Sequence, residues 1–224
     1  MKPIADLYSD FPEKFGIPRQ SGQAPAARAQ VVLRPAFARS EAVRGLDECS
    51  HIWLLFHCHQ SEGWRPTVRP PRLGGNRRLG VFATRSPFRP NPIGLSVVRL
   101  DGVEIDRGVR LLVSGVDIVD GTPILDIKPY LPWADSLPDA RGGFADQLPD
   151  ALPVHFSPEA EAALTSNDRR RALIEQLLAL DPRPAYHRDP GRCYVNIAAG
   201  MEVHWHVSRN GVQVDRLTPW KAES

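Results

Sequence analysis

The chain has 224 residues, of which 42% are hydrophobic and 24% are charged, and its formal net charge is +2. This length suits one large domain, or one domain with a small addition, and the apolar content is too high for a disordered chain. No apolar run reaches the length of a membrane-spanning helix, and residues 1–10 lack the apolar core of a signal peptide. The sequence therefore predicts a cytoplasmic protein.

Short apolar runs, each bounded by Gly, Pro or Asp, predict β-strands in the first part of the chain. They comprise residues 51–57, 93–100, 109–116 and 123–128. From about residue 31 to 131 the turn signals recur at intervals typical of a closed antiparallel sheet. No long helical pattern alternates with the strands, which argues against a doubly wound α/β fold. We therefore expect a mainly β protein built on a small closed antiparallel barrel.

The pattern changes after a stretch rich in Pro, Asp, Ala and Gly, which is typical of a linker. Ser157 is suited to cap a helix, because Pro158 follows it at the first helical position. A second helical stretch near residues 169–180 predicts an apolar stripe, whose members are Leu173, Leu177 and Leu180. These features predict two helices after the linker.

Three further strands are expected at residues 194–197, 201–207 and 212–217, with Asn210-Gly211 as a hairpin turn. Together with the helices they form a small α+β unit. The predicted organisation is a barrel domain at 1–132, a linker at 133–153 and a small α+β domain at 154–224.

Arginine is concentrated between residues 61 and 100, where Glu62 is the only acid. The arginines in this window are Arg65, Arg69, Arg72, Arg77, Arg78, Arg85, Arg89 and Arg99. Residues 63–94 are also dense in Pro and Gly, and loops of this length are usually functional or disordered. Because a guanidinium group matches two phosphate oxygens at once, the window predicts a nucleic-acid surface, with a solvated basic face as the alternative.

Two smaller motifs leave alternatives open. Asp120-Gly121 offers a carboxylate and exposed backbone carbonyls that suit a sulfonium or ammonium group, but it is equally typical of a plain hairpin turn. His57 and His59 have a spacing that can bind a metal, as do His204 and His206. No third ligand cluster accompanies either pair, so we predict no metal site.

The signatures of several large enzyme classes are absent from the sequence. It contains no Gly-x-Gly-x-x-Gly after a strand, no Gly-x-x-x-x-Gly-Lys-Ser/Thr and no Gly-x-Ser-x-Gly. A dinucleotide-binding enzyme, a P-loop ATPase and an α/β hydrolase therefore lose support.

Seven ordered blocks between about residues 3 and 132 resemble the TrmO family, also called the TsaA-like β-barrel family. They read FGIPRQ at 15–20, AVRGL at 42–46, SHIWLLF at 50–56, PPRLG at 70–74, GVFATRSP at 80–87, RPNPIG at 89–94 and DGTPILDIKPY at 120–130. The C-terminal part, including residues 181–186, resembles the extra domain of bacterial members. The resemblance implies a TsaA-like barrel, unrelated to Rossmann-type methyltransferases, and a homodimer with its cofactor near the subunit boundary.

Members of this family use S-adenosylmethionine to methylate the exocyclic amine of a threonylcarbamoylated adenosine beside the anticodon of tRNA. The resemblance therefore implies a tRNA (adenine-37, N6)-methyltransferase that binds the anticodon stem-loop. One alternative is a non-catalytic RNA-binding module that kept the barrel. Another is a hydrolase or metal enzyme built on the histidine pairs.

The resemblance also implies a set of site residues. Those expected to bind the cofactor are Arg19, Gln20, Ser21, His59, Gln60, Arg85, Leu95, Asp117, Asp120, Gly121, Thr122 and Pro123. Many relatives have Phe-His-Gln where this chain has Cys58-His59-Gln60, so the end of that block matches. Asp120 is also the candidate acceptor for the proton that leaves the amine. The residues expected to bind tRNA are Arg65, Arg69, Arg72, Arg77, Arg78 and Arg89.

Overall fold

The structure is a computed structural model that describes residues 1–70, 73, 77–148, 150–165, 168–183, 189 and 191–221. The strands within these ranges are β1 (Ala5–Ser9), β2 (Arg28–Leu33), β3 (His51–His57), β4 (Thr67–Val68), β5 (Leu79–Gly80), β6 (Ile93–Glu104), β7 (Arg110–Ser114), β8 (Thr122–Pro129), β9 (Val154–Phe156), β10 (Cys193–Ala198), β11 (Met201–Ser208) and β12 (Gly211–Pro219). The α-helices are α1 (Pro132–Asp135), α2 (Pro158–Ala162) and α3 (Arg169–Ala179).

Six strands close into an antiparallel barrel in the order β1-β2-β7-β6-β3-β8. Alternate residues point inward, as the period of a strand requires: in β3, Ile52 and Leu54 are fully buried while His51 is exposed. The expected mainly β fold with a closed barrel is confirmed. The sequence interpretation began the sheet near residue 31 and so missed β1, which closes the barrel by pairing with both β2 and β8.

The C-terminal part forms a four-stranded sheet in the order β10-β11-β12-β9, with β9 parallel to β12. Its core contains Trp205, whose ring stacks on Tyr194 at 4.8 Å and whose Nε1 donates to Asn196 Oδ1 at 2.8 Å. The predicted helix cap is confirmed, because the amide of Ala160 donates to Ser157 Oγ at 3.0 Å. β9 was not predicted, since its three residues lie beside the proposed linker.

Helix α3 joins the two cores. Leu173 and Leu177 pack into the barrel core, whereas Ile174 and Leu178 pack into the core of the C-terminal sheet. The buried face of α3 is therefore wider than the predicted stripe. The prediction that Leu180 belongs to that stripe is wrong, because α3 ends at Ala179 and Leu180 is its C-cap.

All neighbouring barrel strands are antiparallel, so the ends of β1, β3 and β7 lie beside the starts of β2, β6 and β8. We call this the loop end of the barrel. Three connections leave it: residues 10–27 between β1 and β2, residues 58–92 between β3 and β6, and residues 115–121 between β7 and β8. Each residue expected to bind the cofactor lies in one of these connections or near the start of β6 or β8.

Candidate active site

An open cleft of about 1390 Å³ lies at the loop end. Its walls come from the 10–27 and 58–92 connections, from residues 142–148 within the predicted linker, and from Leu180. The cleft brings together two predicted groups, one for the cofactor and one for tRNA. These are Arg19, Gln20, Ser21 and Arg85 from the first group and Arg65, Arg69 and Arg78 from the second.

Arg85 and Gln20 link the two connections across the cleft. Arg85 Nη1 donates to Gln20 Oε1, and the amide nitrogen of the Gln20 side chain donates to the carbonyl of Arg19. The backbone amide of Gln20 is held in turn by Gln23 Oε1 at 3.2 Å. A guanidinium group fixed in this way can present its remaining donors to a ligand carboxylate or phosphate with little further ordering.

Asp117, in the 115–121 connection, lies within electrostatic range of Arg85, although it is not among the residues that line the cleft. Its Oδ1 accepts a hydrogen bond from Ser96 Oγ at 2.6 Å. Burial raises the pKa of Asp117 from 3.8 to about 6, and the Ser96 hydrogen bond, the charge of Arg85 and the backbone of Ser21 offset this effect in part. Asp117 can therefore exchange a proton near neutral pH.

Asp120, in contrast, is hydrogen-bonded to Ser9 at the end of β1 and to Phe11 just after it. Its Oδ1 accepts from the amide of Ser9 at 2.8 Å, and its own amide donates to the carbonyl of Phe11 at 2.8 Å. Gly121, with φ of 72°, completes the turn, which is the backbone conformation that favours glycine. The turn was predicted correctly, but neither Asp120 nor residues 121–123 line the cleft.

The remaining predicted cofactor residues also lie at the loop end without lining the cleft. β3 ends at His57, and the amide of His59 donates back to the His57 carbonyl at 2.7 Å, so strand alternation does not place both imidazoles on one side. Lys14 Nζ donates to the carbonyl of Gln60. Leu95 is 48% exposed on the outer face of β6, opposite the inward Ser96.

Histidine, cysteine and acidic side chains do not cluster as metal ligands in the part of the chain that the structure describes. The second histidine pair is used within the C-terminal sheet, where His206 Nδ1 lies 2.8 Å from Asp215 Oδ2. His204 Nε2 lies 3.6 Å from Glu202 Oε2.

The arginines predicted to bind tRNA differ in how free they are. Arg65 lies over the ring of Phe88 at 5.2 Å, and Arg78 Nη1 donates to Thr67 Oγ1 at 3.0 Å, so each keeps donors for a phosphate. Arg77 is exposed. Arg89 donates to two carbonyls of its own connection and is half-buried. Arg72 lies outside the described residues.

The sequence interpretation missed the aromatic side chains of the cleft. Phe82, Phe88 and Phe144 line it together with the arginines. The signal was present at 82–90, where two phenylalanines alternate with two arginines and two prolines. Phe144 could not have been found in this way, because it belongs to the stretch that reads as a linker.

Comparisons with known proteins agree with this arrangement. Residues 6–136 match the family model described as the tRNA-methyltransferase O N-terminal domain, and residues 149–220 match the TrmO C-terminal domain. A tRNA (adenine(37)-N6)-methyltransferase of Escherichia coli K12 is 46% identical over 226 residues, which cover 96% of each chain. RcsF of Pseudomonas aeruginosa is 51% identical over 217 residues, 93% of each chain, and its name provisionally assigns it to the S-adenosylmethionine-dependent methyltransferases.

The fold comparison gives the same result. The crystal structure of TrmO from Pseudomonas aeruginosa has a TM-score of 0.82 and 43% identity to this chain, and the alignment covers 97% of this chain and 96% of that one. Two matched domains in the order of the family, a shared barrel and identities above 40% lead to one conclusion: the chain belongs to the tRNA-methyltransferase O family.

Proposed function

We propose that this protein is an S-adenosylmethionine-dependent tRNA methyltransferase that methylates N6 of adenine-37, carrying its threonylcarbamoyl group, next to the anticodon. The observation that carries the proposal is the similarity to the Escherichia coli enzyme over 96% of both chains. The cleft supports it, because its arginines suit a polyanion, and the partly buried Asp117 lies within electrostatic range of Arg85 in its wall.

The chemistry of the loop end fits the cofactor. When bound, S-adenosylmethionine supplies a methyl group on a positively charged sulfur and also carries a carboxylate and an ammonium group. Arg85, held by Gln20, and Arg19 offer donors for a carboxylate. Asp117 provides negative charge in a buried setting, where its attraction for a cation is stronger than in water.

We infer that Asp117 is also a better proton acceptor than Asp120, because its pKa is raised to about 6 and it lies within range of Arg85. N6 of the adenosine loses a proton once it has gained the methyl group, and a carboxylate near its own pKa can take it. The Oδ1 of Asp120 already accepts from the Ser9 amide. Neither aspartate lines the cleft, but Asp117 lies close enough to Arg85, which does line it, for their charges to interact. We therefore propose Asp117 as the acceptor and assign Asp120 to the stability of the turn.

The arginine-rich connection would bind the anticodon stem-loop. Arg65, Arg69 and Arg78 line the cleft, and Asp146 is the single acid among the described residues that line it. Contacts from such residues to phosphates set the affinity and its salt dependence rather than base choice. Arg89 would contribute by holding the connection in shape.

We further propose a homodimer with the cofactor near the subunit boundary. The exposed position of Leu95 on the outer barrel wall supports this, since a cofactor contact from Leu95 then requires a site completed by a second copy. The division into residues 1–132, 133–153 and 154–224, and a cytoplasmic location with the tRNA substrate, belong to the same proposal. Among the described helices, none has the length and apolar character needed to cross a bilayer.

Nucleoside mass spectrometry on tRNA from cells with and without the gene tests the proposal. We expect the methylated form of threonylcarbamoyladenosine to disappear without the gene and the unmethylated form to accumulate. Return of the wild-type gene should restore the methylated form, whereas the Asp117→Asn variant should not. An unchanged nucleoside profile, with no cofactor binding by the purified protein, would favour a non-catalytic RNA-binding module.

A further inference from the structure

Phe82 projects from the wall of the cleft with 73% of its surface exposed. A phenylalanine ring exposed to this extent gains nothing from the barrel core, and its burial must come from a ligand or partner if it comes at all. The proposed methyl transfer does not use it. The methyl-transfer reaction therefore does not explain why this ring is exposed in the cleft.

The backbone beneath Phe82 is held by local hydrogen bonds and by a buried neighbour. It lies in a short 3₁₀ turn at Val81–Ala83, and Val81 is almost fully buried. The amide of Val81 donates to the carbonyl of Pro66 at 3.0 Å, and Thr84 Oγ1 donates to the carbonyl of Val81 at 2.9 Å. The position of the ring is thus fixed by the turn and not by a flexible loop tip.

One face of the ring is already occupied. The guanidinium of Arg89 lies over it, 5.5 Å from its centroid, and Arg89 is itself held by the carbonyls of Val81 and Thr84 at 3.2 and 2.8 Å. A cation above an aromatic ring at this distance is a favourable contact. The other face of Phe82 is left as a flat apolar platform.

The surroundings of this platform are cationic. Arg65, Arg69 and Arg78 line the same cleft. An ordered aromatic ring beside phosphate-binding arginines is the arrangement by which proteins hold single-stranded nucleic acid, because each base offers a π-face for stacking. A second copy of this chain is a weaker candidate, since it would have to bring its own surface against these arginines.

We propose that Phe82 is a base-stacking residue that holds an unpaired base next to the acceptor adenosine of the anticodon loop. This inference rests on the proposed tRNA substrate. Stacking on one neighbour would help to keep the loop open and would draw the acceptor toward Asp117. Arg89 then acts as a positioning residue, through the ring and not on the RNA.

A double-mutant cycle tests the proposal with a synthetic anticodon stem-loop RNA. The protein variants are wild type, Phe82→Leu and Phe82→Trp, and the RNA carries either a normal or an abasic nucleotide on each side of the acceptor. We expect Phe82→Leu to weaken binding of the normal RNA by roughly 10- to 100-fold, the range that loss of one stacked base gives, while Phe82→Trp retains affinity. At one of the two flanking positions, wild type should bind the abasic RNA more weakly than the normal RNA by the same factor. Phe82→Leu should bind the abasic and the normal RNA equally, because its stacking contact is already lost.

Trp133→Ala is the matched control, because Trp133 is 84% exposed and follows β8 at the opposite end of the barrel. Equal binding by wild type and Phe82→Leu, or additive losses at both flanks, would overturn the stacking role while wild-type methylation still stood. Failure of wild type to bind or methylate the RNA would instead count against the proposed function. Dissociation of a dimer by Phe82→Leu, seen by light scattering with RNA affinity unchanged, would assign the ring to a subunit contact and overturn the proposal.

Discussion

The 115–121 connection and the 58–92 connection leave the same end of the barrel, but they are held in different ways. The first is held against the barrel by hydrogen bonds and buried side chains. The amide of Gly115 donates to the carbonyl of Ala27 at 2.9 Å, and Val116 and Ile118 are buried. The second is braced largely by its own residues, such as Arg89, and exposes Arg77 and Phe82.

This difference separates two tasks. A proton acceptor must be held within a fraction of an ångström of its target, which requires support from the packed barrel. Residues that grip an RNA loop act through charge and stacking, which tolerate small displacements. If this division holds, substitutions in the first connection should affect turnover with little change in RNA affinity, and substitutions in the second should do the reverse.

The largest expected effect is that of Asp117→Asn on methyl transfer. Because Asn cannot accept the proton, single-turnover methylation should fall by roughly 100-fold or more, within the usual range for a lost general base. The wild-type rate should rise with pH through about 6, where the carboxyl ionises. RNA affinity should stay near that of wild type. A variant that keeps the wild-type rate and pH profile would remove Asp117 from the mechanism.

The same substitution should change stability in the opposite direction. The native carboxyl keeps its proton up to about pH 6, whereas the unfolded one releases it near its ordinary pKa of 3.8. Between these values the native state binds more protons, so the free energy of unfolding falls as pH rises. The shift in pKa corresponds to up to roughly 3 kcal/mol above pH 7.

Denaturant unfolding at pH 8 and at pH 5 measures this effect. Asp117→Asn should be more stable than wild type at pH 8, and the difference should shrink at pH 5. Thr122 is also buried at the loop end, and its hydroxyl donates to the carbonyl of Val119 and not to an ionisable group, so Thr122→Val provides a control. A stability difference that does not depend on pH would mean that ionisation of Asp117 does not lower the free energy of unfolding.

A smaller effect is expected in the 58–92 connection. Replacing Arg77 and Arg78 together by Ala should weaken tRNA binding and should lower the slope of log K against log salt by roughly 1.5, as loss of two phosphate contacts predicts. Arg44→Ala with Arg107→Ala is the matched control, because both arginines are exposed in connections at the other end of the barrel. An unchanged slope in the first pair would show that it does not contact the RNA backbone.

The sequence predicted the barrel better where strands are continuous apolar runs. The bounds of β3 were predicted correctly, because HIWLLFH is a single run. β1 was missed since Asp6 and Ser9 interrupt any such run, although Ala5 and Leu7 alternate inward as a barrel strand requires. β9 has three residues and depends on its pairing with β12, a contact that no local pattern reveals.

The site residues were predicted as a group, but their individual environments were not. Three connections at one end of a barrel follow from strand order, so Arg19, Arg85 and Asp117 could be expected to lie together. Which carboxylate lies within range of Arg85 depends on side-chain bonds between distant parts of the chain. The Asp120–Ser9 hydrogen bond spans 111 residues and has no signature in either segment.

Asp120→Asn should have the smallest effect of all. The Asn side chain keeps an oxygen that can accept from the Ser9 amide, which is at 2.8 Å in the native protein, so turnover should change by a few-fold at most. Asp120→Ala removes that acceptor and leaves the amide of Ser9 unpaired, which should cost roughly 1–3 kcal/mol of unfolding free energy. Both variants are measured by single-turnover methylation and by denaturant unfolding. The comparison shows whether the Asp120 carboxylate stabilises the turn or takes part in methyl transfer. If Asp120→Asn abolishes methylation while stability is unchanged, the proton acceptor lies in the Asp120-Gly121 turn, and the assignment to Asp117 fails.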